Sequence, residues 1–268
     1  LAALRLLFPV EPQLSESLLD CAGLFVARDA RGAIRGAIMG QSMPGALGLV
    51  WAPRVEIDEL ADTLVETACD WFRRRSVKIC QAFSTTDEGH LMAPLARRGF
   101  RKTTQLIELR CAIGGKLIST TLGFESVSPP FTAPCRALFL STHEGSLDCP
   151  ELNLGRDSEE LLAELVEMDH DTTWHVARRD ERPIGAVILT SGVAESEAEL
   201  AYLGVAPALR GHGFGGELLE FARAEAARRG ASSLAVSVDE RNWPALKLYR
   251  RNGFHETNRR EVWLAHFS

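Results

Sequence analysis

Three glycines, Gly211, Gly213 and Gly215, alternate with His212 and Phe214 between a β-prone run and a helical pattern. A strand, a glycine turn and a helix start together make an anion site. The first-turn amides of a helix have no intrahelical partners, and missing β-carbons let a phosphate come close. This spacing is neither a dinucleotide fingerprint nor a P-loop, because no Lys-Ser/Thr follows and no acidic residue is placed for a ribose. It equally suits a turn used only for close packing. Two nearby groups carry proton chemistry: Glu199 on the run before the loop and Tyr249 in a helical stretch beyond it. A carboxylate and a phenol are both groups that can exchange a proton.

Arg210-Gly211-His212-Gly213-Phe214-Gly215 resembles the Arg/Gln-x-x-Gly-x-Gly/Ala signature of the GCN5-related N-acetyltransferases. A second block, Asn242 to Phe254, agrees with it: an Asn, a small residue, a Tyr and a Gly-Phe recur there in the family's order. The resemblance covers residues 136–268 and implies acetyl-coenzyme A as cofactor. It implies that the amides of Gly211 to Gly215 hold the pyrophosphate with added charge from Arg210, and that exposed amides of Leu203, Gly204 and Val205 meet the pantetheine arm. His212 either touches a phosphate or faces solvent. Gly204 is expected where the fourth strand of the family's fold bulges and splays from the fifth, or else as packing in a buried sheet. Glu199 stands at the family's position for the general base, with an edge carboxylate as the competing reading. Tyr249 stands at the family's position for the general acid that protonates the coenzyme A sulfur, or else is a ring packed under the cofactor. Asn242 either fixes the loop near the cofactor or caps a helix that begins at Trp243-Pro244. Tyr202 is expected on the face opposite Glu199 if the strand is regular, or on the same face if the bulge intervenes, and Glu195 and Glu197 add an acidic rim that attracts a cationic amine.

The elements that position these residues follow from periodicity. Strands are expected at 4–8 and 45–53, a helix at 15–21, and a hairpin turning at Ala30–Gly32. Residues 57–74 are strongly helical, with Leu60, Leu64, Ala68 and Phe72 on one face. A strand at 77–83, a helix ending at Gly99 and a strand TQLIELR close the first half. The second half is expected to open on a strand at 136–140 and continue with a helix at 157–170 capped by Asp157. A hairpin turning at Asp180–Arg182, the strand before the glycine loop, helix 214–229, strand 233–238, helix 244–251 and strand 260–267 follow.

The halves repeat this order. Ala52-Pro53 and Ala206-Pro207 lie 154 positions apart, as do Gly99-Phe100 and Gly253-Phe254. On that offset the segments align without a gap. Glu199 then falls on Gly45, Arg210 on Glu56, Gly213 on Glu59, Asn242 on Glu88 and Tyr249 on Leu95. Two carboxylates where a phosphate would sit oppose anion binding. The expected organisation is a degenerate domain at 1–111, a Gly/Ser/Pro-rich linker at 112–135 in which 117–122 form a further strand, and the cofactor-binding domain at 136–268. The fold class is α/β of mixed α+β type: two tandem units, each a mixed, mostly antiparallel sheet flanked by helices. The pairing of one degenerate and one active unit is also similar to mycothiol-synthase-like tandem acetyltransferases.

Composition bounds the rest. The 268 residues are 46% hydrophobic and 25% charged, with a net charge of -6, which offers no general attraction to nucleic acid or anionic membrane. No apolar run approaches the roughly 18 residues of a membrane span. The apolar start reads as a buried strand without a basic leader, and the lack of an initiator Met points to residues upstream of this numbering. Six cysteines without a Cys-x-x-Cys pair fit reduced thiols in a cytoplasmic protein. The seven histidines show no metal-ligand spacing, so no metal is expected. No motif pairs a thiol with a histidine, so direct transfer is preferred to an acyl-cysteine. The sequence therefore points to an acetyl-coenzyme A-dependent N-acetyltransferase, monomer or homodimer, acting on a small-molecule or peptide amine. The alternative is a non-catalytic acyl-coenzyme A-binding or regulatory module. The acidity of 158–171 leans toward a cationic acceptor, or is a solvated face.

Overall fold

The computed structural model describes Leu7 and residues 21–114, 120–166, 171–192, 194 and 196–267. The chain divides into two compact units, Leu1–Gln105 with Arg260–Ser268, and Leu106–Arg259. This division differs from boundaries at 111 and 136. Each unit takes its last strand from the other half of the sequence.

Unit 1 pairs β1 (Leu24–Arg28), β2 (Ile34–Met43), β3 (Leu47–Val55) and β4 (Ile79–Ser84) with residues 261–266 of the final strand. All pairings are antiparallel except β3 with β4. Helix α1 (Glu59–Arg73) buries Leu64, Val65, Ala68, Cys69 and Phe72 on the sheet, and Leu60 is only half-buried at its start. Gly40 and Gly48 let the helix in: a β-carbon on either would stand within 2.8 Å of the Phe72 ring. A 3-10 turn (Thr86–Met92) and α2 (Ala93–Arg97) complete the unit, then β5 (Arg101–Ala112) passes into unit 2 at Leu106. Asp29 makes the expected hairpin turn, its Oδ1 accepting from the amides of Arg31 and Ala33.

Unit 2 has the strand order β6 (Gly123–Val127), β7 (Thr173–Arg179), β8 (Arg182–Ser191), β9 (Glu197–Val205), β10 (Ser233–Asp239), then residues 106–112 of β5. Only β9 and β10 are parallel among these pairs. Helices α3 (Ala133–His143) and α4 (Ser158–Val166) cover one face. Helices α5 (Phe214–Arg228) and α6 (Trp243–Arg251) cover the other. The final strand, β11 (His255–His266), leaves unit 2 after Arg259. Thus both units are mixed, mostly antiparallel sheets flanked by helices, as the family resemblance implies.

Several elements differ from expectation. Residues 136–140 lie inside α3, which opens with Pro134 in its first turn, a position proline favours because its missing N–H has no partner there. The first strand lying wholly within unit 2 is β6, inside the stretch expected as a linker. Leu7 is helical and buried beside Ala37 and Met39, so no strand runs through it, and most of the helix expected at 15–21 lies outside the described residues. Asp157 does cap α4: its Oδ1 accepts from the amides of Glu159 and Glu160, and Glu160 Oε2 accepts from Asp157 N at 2.9 Å. Residues 167–170 of that expected helix lie outside the described residues.

Candidate active site in unit 2

Strands β9 and β10 pair only at Glu197, Ala198 and Glu199, opposite Ser233, Leu234 and Ala235. Beyond Glu199 the two strands part. Residues 200–205 keep their pairing with β8, while the edge toward β10 has no strand partner among the described residues. A splayed parallel pair opens a cleft whose wall is a row of backbone amides and carbonyls.

The glycine loop closes one end of that cleft. Gly211 and Gly213 have φ of 82° and 89°, left-handed values that β-carbons disfavour. Gly213 is the N-cap of α5 and provides no side chain to its amides. The helix therefore presents its first amides and the positive end of its dipole to the loop. Phe214 turns inward and is buried, with the Arg179 guanidinium 5.4 Å from its ring centroid. Gly215 lies against Leu248, where an added β-carbon would sit 3.4 Å from Cδ2. This cradle fits a diphosphate.

Arg210 has a different role from the expected one. Its guanidinium donates to the carbonyls of Val205, Glu144, Gly145 and Thr142 at 2.7–3.2 Å. Three of these lie at the C-terminal end of α3, where a cation opposes the helix dipole. Arg210 holds the loop to that helix end and does not turn to the phosphate cradle. His212 is exposed, and its Nδ1 lies 3.0 Å from the Arg210 carbonyl.

Gly204 is regularly paired with Ala186; the irregularity in β9 falls at Ala201. A β-carbon on Gly204 would stand 2.7 Å from the Tyr202 ring and 2.8 Å from Thr142 Cβ, so packing explains this glycine. Leu203 and Val205 are half-buried on the α5 side of the sheet. The bulge has a consequence for Tyr202. Ala198 and Leu200 point into the α5 core, which by alternation puts Glu199 on the α3 face. The extra residue turns Tyr202 to that same face, contrary to the regular-strand expectation. There its hydroxyl lies 2.6 Å from Thr142 Oγ1 and its ring stacks on His143. Burial pushes the Tyr202 phenol up to about 12.

Glu199 is half-buried at the point where the strands part. Glu197 does not form an acidic rim: it is buried, and its Oε2 makes a close ion-pair approach of 2.5 Å to Arg110 Nε. Glu195 lies outside the described residues. The acids of α4 are also engaged. Glu159 pairs with Arg136 and Glu164 with the buried Arg156.

Tyr249 is buried on α6 beneath the loop, against Phe254 and in one cluster with Phe214 and Leu246. Its hydroxyl has no hydrogen-bond partner among the described residues. Burial, helped by the Asp148 charge, pushes the phenol well above its ordinary range. Asn242 is the N-cap of α6, its Oδ1 accepting from Ala245 N at 3.3 Å.

A network that the sequence did not reveal fixes the neighbouring loop. Arg241 bridges Glu151, at 2.7 and 2.8 Å, and Asp239, which is fully buried. Asp239 also accepts from Cys149 N and donates its amide to Asp148. These residues lie in two stretches about 90 positions apart, 148–151 and 239–241, so no local motif marks them. Cys149 is a poor nucleophile: burial and the carboxylates around it push its thiol up to about 12.

Residues 139–254 match the family model described as Acetyltransferase (GNAT) family. No curated protein matches the sequence. Among solved structures, the chain is similar to a GCN5-related N-acetyltransferase from Sphaerobacter thermophilus. The identity is 17% and the TM-score 0.64, over 99% of this chain and 90% of that one. A GCN5-related glucosamine N-acetyltransferase region of a fungal multi-domain β-N-acetylglucosaminidase matches at 19% identity and TM-score 0.62, over 90% of this chain and 33% of that one. The tandem GNAT protein from the clavulanic acid biosynthesis pathway matches at 16% and 0.57, over 93% of this chain and 85% of that one. At these identities the likeness is one of fold. The chain has the GNAT fold, and the segment that matches the family model holds the glycine loop, Glu199 and Tyr249.

Proposed function

We propose that unit 2 is an acetyl-coenzyme A-dependent N-acetyltransferase that moves the acetyl group directly to a primary amine. The observation that carries this reading is the uncapped, left-handed glycine loop at the mouth of the β9–β10 splay, with Tyr249 buried beneath it. The cofactor supplies an activated thioester carbonyl. The amides of 211–215 and the α5 dipole hold its diphosphate, and the free edge of 203–205 aligns its arm. Glu199, on the α3 face where β9 and β10 part, takes the proton of the amine, directly or through a water. The raised Tyr249 phenol stays protonated at neutral pH. With the cofactor bound, its hydroxyl would serve as a hydrogen-bond donor to the thioester sulfur, because full proton transfer from so weak an acid is uphill.

Unit 1 is a degenerate copy that leaves cofactor binding to unit 2. The protein works in the cytoplasm as a monomer or homodimer, on a small-molecule or peptide amine. A non-catalytic acyl-coenzyme A-binding module built on the same loop is the alternative. Tyr249→Phe separates the two readings: an enzyme loses turnover while keeping acetyl-coenzyme A affinity, whereas a binding module shows no turnover in either form.

A further inference from the structure

Across the base of the splay, three residues stand in one register row: Arg110 on β5, Ala235 on β10 and Glu199 on β9. Their flanking residues Leu109, Cys111, Leu234, Val236, Ala198 and Leu200 all enter the α5 core, so the row faces the other way. Arg110 reaches across β10, since its Nε meets Glu197 of β9 at 2.5 Å, and the small Ala235 lets it pass. Its side chain is 44% exposed, and among the described residues its two Nη groups meet no other partner. Glu197 and Glu199 are two apart on one strand face, about 7 Å. The guanidinium fork is thus displayed within one small-molecule length of the proposed base.

Unit 1 supplies the contrast. The same row there is Leu264, Gln81 and Leu49, and the position of Glu197 is taken by Leu47. The charged row is not needed to build this sheet.

Resting on the reading of unit 2 as an N-acetyltransferase, we propose that the acceptor is a small amino carboxylate, an amino acid or a close analogue. Arg110 grips its carboxylate bidentately while Glu199 faces its ammonium. A planar five-donor fork suits a carboxylate. Each end of such a zwitterion meets a group of opposite charge, the carboxylate at Arg110 and the ammonium at Glu199.

The test uses the full chain saturated with coenzyme A and a panel of α-amino acids, each beside its decarboxylated amine. Binding is read by ligand-observed NMR, and turnover separately with acetyl-coenzyme A. At least one amino acid should bind about 10- to 100-fold tighter than its amine, the size of a lost charge-assisted fork. The double variant Arg110→Leu with Glu197→Leu imports unit 1's residues and strands no buried charge. It should erase that preference and keep acetyl-coenzyme A affinity. Arg110→Lys should keep the fold and lose most of the preference. Equal binding of both series, binding of neither, or a preference that survives the double variant overturns the proposal. Selective binding without turnover would sustain it and sink the catalytic reading alone.

Discussion

The two units share one way of splaying a parallel pair and part company in the loop that follows it. In each, a parallel pair holds for three residues and then parts: Leu47 to Leu49 on Ile79 to Gln81 in unit 1, Glu197 to Glu199 on Ser233 to Ala235 in unit 2. In each, the splaying strand carries an irregularity just beyond. The connection to the following helix then differs. Unit 1 needs Glu56, Ile57 and Asp58, whereas unit 2 inserts the longer stretch from Ala206 to Gly213. The short connection has no room for a glycine cradle, and Glu56 turns instead to Arg35 at 2.7 Å. A splay is therefore a property of the fold, and the glycine cradle is a property of the loop grafted on it.

Removing the Tyr249 hydroxyl should have the largest effect on this contrast, because unit 1 carries the buried Leu95 at the matching position. Tyr249→Phe is expected to lower kcat by about 100-fold or more while leaving acetyl-coenzyme A affinity within about two-fold, by steady-state kinetics and calorimetry. Unchanged kcat would remove Tyr249 from the chemistry.

Gly204→Ala comes next. Its β-carbon must displace Tyr202 or Thr142, and overpacking of that kind costs about 1–3 kcal/mol, readable as a lower urea midpoint. A neutral outcome would show that the Tyr202 pocket gives way freely.

The units should also differ in acid. Burial holds His175 below its ordinary value, and an unfolded imidazole titrates at about 6.5. Stability from the neutral ring is complete above about 6.5 and is lost as the pH falls below it, since the unfolded chain then binds a proton that the folded one refuses. In unit 1, desolvation raises Glu88, but hydrogen bonds from Arg54 and Thr85 and the Arg54 charge outweigh it. Its contribution is present above about 4.5 and lost only below. Hydrogen exchange should find unit 2 loosening first as the pH falls from about 7 to about 5.5, and His175→Phe, which keeps the contact with Phe221, should narrow the gap. Identical profiles would contradict it. Least of all, Glu56→Gln should leave acetyl-coenzyme A affinity unchanged, since that carboxylate is engaged with Arg35 in unit 1.

Much of this was legible in the chain. Periodicity located α1, α5 and α6, and Gly211 and Gly213 marked the loop because their φ values disfavour other residues. The register of the repeat was legible only from the helix onward. Ile79 and Ser233, or Leu264 and Arg110, do stand 154 apart, but Glu199 corresponds to Leu49, not to Gly45. The Ala-Pro pair in unit 1 lies within β3, whereas Ala206-Pro207 follows β9, so that match was accidental. A gap hides easily in an alignment between short loops, because no packing period runs through them. The place of Arg110 was hidden for a different reason. Alternation of Glu108 and Arg110 with Ile107, Leu109 and Cys111 does announce a strand with one polar face. Nothing local says that this strand finishes in the other unit. The network around Asp239 is likewise non-local, joining 148–151 to 239–241.

The central claim is that one loop, in one unit, makes the cofactor site. Calorimetric titration of acetyl-coenzyme A into wild type and Gly213→Glu tests it most directly. The substitution strains a φ of 89° and puts a carboxylate at the mouth of the helix. The expected result is one site per chain in wild type and none detectable in the variant, with the fold intact by circular dichroism. Two sites in wild type, or one that survives the substitution, would contradict it.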